Sequence, residues 1–144
     1  MRIGSCSTVE RRRLTLHNEI GEISSLAGFM DSIAERMKMT PEVAANVNLA
    51  LEEAVSNVVM YAYPEGEKGL VEIEADIRKT SLILKVSDSG KPFNPLSAPI
   101  ADTTLGVAER QVGGLGIFLM RTIMDSVSYS RKSGRNILKM TKKI

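Results

Sequence analysis

Residues 49–63 read LALEEAVSNVVMYAY, and the fold turns on how this stretch is built. Upstream, Thr40-Pro41 is a helix start, with threonine suited to the cap and proline to the first helical position. Downstream, Pro64 and Gly66 close the segment, so one helix is predicted from residue 41 to about residue 61. Its apolar positions include Val47, Ala50, Leu51, Ala54, Val55 and Val58, and Asn46, Glu53 and Asn57 form a polar stripe among them. Glu53 and Asn57 stand four apart and therefore project from one helix face. The amide oxygen of Asn57 suits a hard cation such as Mg²⁺, which takes few protein ligands and completes its shell with water and phosphate. Glu53 can take up a proton beside it. Glu52 lies about 100° round the helix and is expected to be more peripheral. By themselves the pair is equally consistent with a plain polar helix face.

The segments on either side supply a two-layer frame. Before the helix, residues 11–18 (RRRLTLHN) alternate as a strand, and residues 20–38 carry Ile23, Leu26, Met30, Ile33 and Met37 at helical spacing. His17 falls on the strand face opposite Leu14 and Leu16 and is expected to be exposed. After it, LVEIEADIR (70–78) and SLILKVS (81–87) predict a hairpin with one wet face. Residues 88–112 hold Gly90, Pro92, Pro95 and Pro99 without periodicity, and a loop this long suggests a functional element such as a lid. GLGIFLMRTIMD (114–125) reads as a short apolar helix, followed by a hairpin turning at Ser133-Gly134.

Two further clusters carry chemistry. Asp88-Ser89-Gly90 ends a strand, where a carboxylate can accept a hydrogen bond from an exocyclic amine such as that of adenine, and a glycine permits close approach to the backbone. The same tripeptide is also ordinary turn chemistry. Gly113-Gly114-Leu115-Gly116 leads straight into a helix, and bare amides at a helix start suit phosphate oxygens; a hinge or helix cap would use the same residues. No Gly-Lys-Ser/Thr follows, so this is not a Walker A loop.

In order, LALEEAVSNVVMYAY (49–63), DSGKPFNP (88–95) and GGLGIFLMRTIMD (113–125) closely resemble the GHKL ATPase/kinase superfamily, and within it the small anti-sigma factor serine/threonine kinases of bacteria. The resemblance spans nearly the whole chain. It implies a single 1–144 domain with the Bergerat-type ATP-binding fold: an α/β (α+β) two-layer sandwich whose mixed, largely antiparallel sheet has helices packed on one face. It further implies ATP and Mg²⁺ as cofactors, Glu53 as the catalytic carboxylate and Asn57 as the metal ligand. Asn57, Asp88, Gly90, Gly113, Gly114, Leu115 and Gly116 would form the ATP site, with residues 96–112 as its closing lid. Some family members carry a threonine near the adenine in the last hairpin, where this chain has Asn136. The implied partners are an anti-anti-sigma antagonist, phosphorylated on Ser or Thr, and a sigma factor, with the kinase as a homodimer. The alternative within the same fold is a catalytically silent, nucleotide-gated binding regulator.

Composition narrows the field. A chain of 144 residues suits one domain, with an aliphatic core, since there are three Phe, three Tyr and no Trp. The net charge of +2 is too small, and its basic residues too dispersed, to imply a nucleic-acid partner. One cysteine, Cys6, and one histidine argue against a structural zinc site. No signal-peptide pattern or membrane-length apolar run is visible, so a cytoplasmic location is expected.

Overall fold

The computed structural model describes residues 10–97 and 114–144. Five strands form one sheet: β1 (Glu10–His17), β2 (Leu70–Ile77), β3 (Ser81–Asp88), β4 (Ser126–Lys132) and β5 (Arg135–Lys143). Their order is β1-β2-β3-β5-β4, and all four ladders are antiparallel. Three α-helices complete the described fold: α1 (Ser25–Met37), α2 (Pro41–Asn57) and α3 (Gly114–Ile123). This is the expected α+β sandwich, with the helices contributing to a core on one face of the sheet.

Strand alternation explains the layering. In β3, Leu82, Leu84, Val86 and Asp88 are buried while Ser81, Ile83, Lys85 and Ser87 are half-buried. Val71, Ile73 and Ala75 of β2 and Leu138 and Met140 of β5 extend the buried face, and Leu26, Met30, Ile33, Val47, Leu51 and Val55 belong to the same core. The opposite face is polar. Arg13 stands directly across from Glu74 and pairs with it at 3.0 Å, and Arg11 likewise pairs with Asp76 at 3.2 Å. Arg12 turns to the other side and pairs with Glu10 at 2.7 Å. Each member of the three-arginine run thus has a carboxylate partner on the sheet or its edge.

Helix boundaries show two refinements. The predicted 20–38 helix begins as a 3₁₀ segment, Ile20–Ser24, before α1. The predicted 41–61 helix is α-helical only to Asn57 and continues as a π-helix over Val58–Ala62. Its start is as expected: Thr40 is extended, its Oγ1 accepts from the Val43 N–H at 3.2 Å, and Pro41 follows. Ser133 and Gly134 both have positive φ, as a two-residue type I′ hairpin between β4 and β5 requires. His17 is exposed and its Nδ1 lies 2.9 Å from a Glu22 carboxylate oxygen. Among the described residues no helix is long and apolar enough to cross a membrane.

Candidate functional site

α2 brings the first two candidate side chains to the middle of the domain. Asn57 is buried at the last α-helical position, where its Nδ2 donates to the Glu53 carbonyl at 2.9 Å. That bond fixes the amide, and Oδ1 has no hydrogen-bond partner among the described residues. A widened π-turn starts at the next residue, a feature that often marks functional sites. Glu53 is half-buried and its carboxylate faces Gly116 of α3: a Cβ built on Gly116 would collide with Glu53 Oε2. Burial does not separate Glu53 from Glu52, since both are half-buried. Direction separates them, because it is Glu53 that meets the glycine.

Asp88 ends β3 on the buried face and is 2% exposed. Its Oδ1 accepts from the Gly90 N–H at 2.8 Å and from Asn136 Nδ2 at 2.9 Å. Oδ2 has no hydrogen-bond partner among the described residues. A small cleft is lined by Asp88, Asn57, Asn136 and Tyr129, with Val58, Val86, Phe93 and Leu138 supplying apolar walls. Its free space is about 10 Å³, room for one water, so a flat ring with an amine at one edge would enter only once these walls part, with Asp88 as the orienting polar group.

The loop after Asp88 is held from two sides. On one side the π-helix ends against it: the Lys91 N–H donates to the Ala62 carbonyl at 2.9 Å, and the Ser89 N–H donates to the Tyr63 hydroxyl at 3.1 Å. Tyr63 in turn donates to the Leu70 carbonyl at 2.7 Å. On the other side Arg131 donates to the Gly90 carbonyl at 2.8 Å and Arg135 to Ser89 Oγ at 2.9 Å. Gly90 is required here by space: a Cβ would strike the carbonyl group of Ala62. Gly90→Ala is therefore expected to cost about 1–3 kcal/mol of stability by forcing loop and π-helix apart, readable as a lower urea midpoint at unchanged slope.

The structure brings Asn57 and Asp88 to one cleft, Glu53 against Gly116, and the Gly90 N–H onto the Asp88 carboxylate. Gly114 and Leu115 open α3, and of Leu115 the backbone alone is described. Gly113 lies outside the described residues, as does the expected lid from residue 98 onward. The sequence reading passed over Tyr63, Arg131 and Arg135. The first has a visible signal, an aromatic hydroxyl just before a proline-glycine turn, but the hairpin arginines resemble any charged strand ends.

Residues 16–142 match the histidine kinase-like ATPase domain family. Among characterised proteins the chain is 31% identical to the serine-protein kinase RsbW of Listeria innocua, over 80% of this chain and 75% of that protein. It is 32% identical to RsbW of Bacillus subtilis, over 78% and 72%, and 26% identical to the serine/threonine-protein kinase BtrW of Bordetella bronchiseptica, over 78% and 80%. In fold it is similar to the structure of the RsbU and RsbW domains of Rv1364c from Mycobacterium tuberculosis, with a TM-score of 0.65 at 14% identity over 92% of this chain and 32% of that one. The SiaB-SiaC complex from Pseudomonas aeruginosa gives a TM-score of 0.53 at 17% identity, over 91% and 89%. The chain belongs to the histidine kinase-like ATPase domain family, among relatives named as serine-protein kinases.

Proposed function

We infer that this protein is an ATP- and Mg²⁺-dependent protein serine/threonine kinase acting on an anti-anti-sigma antagonist, and that the same domain sequesters a sigma factor. The observation that carries the reading is the juxtaposition of the Glu53 carboxylate and the Asn57 Oδ1, neither with a hydrogen-bond partner among the described residues, and the Asp88 cleft. Kinship to RsbW and BtrW, which are named as serine- and serine/threonine-protein kinases, supports a protein substrate; the antagonist, the sigma factor, a homodimer and a single unit over 1–144 rest on the resemblance to the anti-sigma factor kinases.

In this reading Asp88 would orient the adenine through its amine, with the Gly90 N–H beside it holding the other carboxylate oxygen. Backbone amides of Gly113, Gly114, Leu115 and Gly116 would receive phosphate oxygens. Asn57 Oδ1 would hold Mg²⁺, which would supply neutralisation of the phosphate charge. The donor set fits: one neutral oxygen on a buried side chain, oriented by the Nδ2 bond to the Glu53 carbonyl, suits a cation that keeps most of its shell as water and phosphate. Glu53 takes the proton from the substrate hydroxyl. Most of the acceleration then comes from positioning and charge neutralisation.

The test is a reconstituted reaction of the protein, labelled ATP, Mg²⁺ and a candidate antagonist. Label appearing on Ser or Thr of the antagonist is the expected result. Tight ATP binding with no phosphoprotein from any cognate antagonist would instead establish a nucleotide-gated binding regulator.

A further inference from the structure

We propose that Asn136 is the positioning residue that sets base selectivity, acting through Asp88 and making no bond to the nucleotide itself. The inference rests on the reading of Asp88 as the group that meets the adenine amine.

Asn136 is 4% exposed and pairs across the β3–β5 ladder with Asp88. Its four hydrogen-bonding positions are all engaged. Nδ2 donates to Asp88 Oδ1 at 2.9 Å and to the Lys91 carbonyl at 2.8 Å. Oδ1 accepts from the Phe93 N–H at 3.1 Å and from the Tyr129 hydroxyl. The orientation of the amide is not arbitrary: a backbone carbonyl can only accept and a backbone N–H can only donate, so Lys91 and Phe93 together determine which end is nitrogen. With two donors and two acceptors all used, nothing remains for a ligand.

What Asn136 does instead is divide the Asp88 carboxylate. Together with the Gly90 N–H it engages Oδ1 and leaves Oδ2 without a hydrogen-bond partner among the described residues. It also ties residues 91 and 93 to the same point, so the carboxylate and the Phe93 wall of the cleft keep a fixed relation. A purine with an amino group at position 6 can donate to Oδ2. A purine with a keto group there presents an acceptor to an acceptor, which is repulsive. The discrimination is large only while the carboxylate cannot rotate or retreat, since a site built around a hydrogen bond rejects the mismatched analogue through the group it leaves unpaired.

The experiment compares calorimetric affinities for ATP and inosine triphosphate, with inorganic tripolyphosphate as a probe of the phosphate end. In wild type ATP is expected to bind more tightly than inosine triphosphate. Asn136→Ala should shrink that ratio by about tenfold, the value of one oriented hydrogen bond, with tripolyphosphate affinity unchanged. Tyr129→Phe removes one bond to Asn136 but keeps Asn136 on Asp88, and it should leave the ratio within about twofold although it also loosens the hairpin. A merely structural role would weaken all three ligands together and leave the ratio intact, and that result overturns the proposal. Should N136A not fold, Asn136→Leu is read instead. It keeps about the same volume and can hold neither Asp88 nor Lys91, so the ratio should fall as in N136A, and an unchanged ratio in folded N136L likewise overturns the proposal. Absence of ATP binding in wild type would be seen before any variant is made, and it would overturn the nucleotide reading and this proposal together.

Discussion

Glu53→Gln is expected to reduce phosphotransfer by about 10²–10⁴-fold while ATP affinity stays within about twofold of wild type. The substitution keeps the side chain's size and removes its capacity to take a proton. Among the described residues the Glu53 carboxylate makes no hydrogen bond to another side chain, so its loss should not propagate into the core. Its backbone carbonyl, which anchors Asn57, is untouched by the change. The metal and base sites should therefore survive, and the loss should appear in single-turnover transfer from pre-bound ATP. Full transfer by the E53Q variant would remove Glu53 as the base and leave the silent regulator as the better account. Gly116 belongs to the same argument. Because no Cβ stands between α3 and the carboxylate, Glu53 can approach the start of α3 closely. Gly116→Ala would have to displace Glu53 and should lower transfer even with Glu53 intact.

Much of this geometry is legible in the linear chain, and the reasons are local. Thr40-Pro41 announces the start of α2 because both residues act within one turn. The alternation in 70–88 gives the hairpin because a strand with one buried face has period two. Glu53 and Asn57 share a face because four residues are about one helical turn. What is not legible depends on other segments. The π-helix after Asn57 replaces the last α-helical turn where Ala62 must present its carbonyl to Lys91, a demand made by a residue 29 positions away. The β5 side chain that braces Asp88 looks like any polar strand residue until the β3–β5 register puts the two opposite each other. The resemblance pointed to this place in the last hairpin, where Asn136 stands instead of the threonine of some family members, and left the nucleotide contact open; the side chain is occupied by Asp88, Lys91, Phe93 and Tyr129.

Asn57→Ala is expected to remove the Mg²⁺ dependence of ATP binding. In wild type, ATP should bind at least about 100-fold more tightly with Mg²⁺ than with chelator, since even the outer-shell partners of a metal ligand are worth about 10–100-fold. In N57A the two titrations should converge on the weaker value. The variant also loses the Nδ2 bond to the Glu53 carbonyl, at a cost of about 1 kcal/mol in stability, and that loss alone would not distinguish a metal ligand from a helix-end brace. Asn57→Asp resolves the two roles. Aspartate cannot donate to the carbonyl, so it loses the brace, but it presents an oxygen to the cation. Restored Mg²⁺ dependence in N57D together with lowered stability would assign the metal role to the oxygen of Asn57. Equal loss of Mg²⁺ dependence in both variants would mean that Asn57 acts by holding the end of α2, and the cation would then have to be held by the phosphates without it.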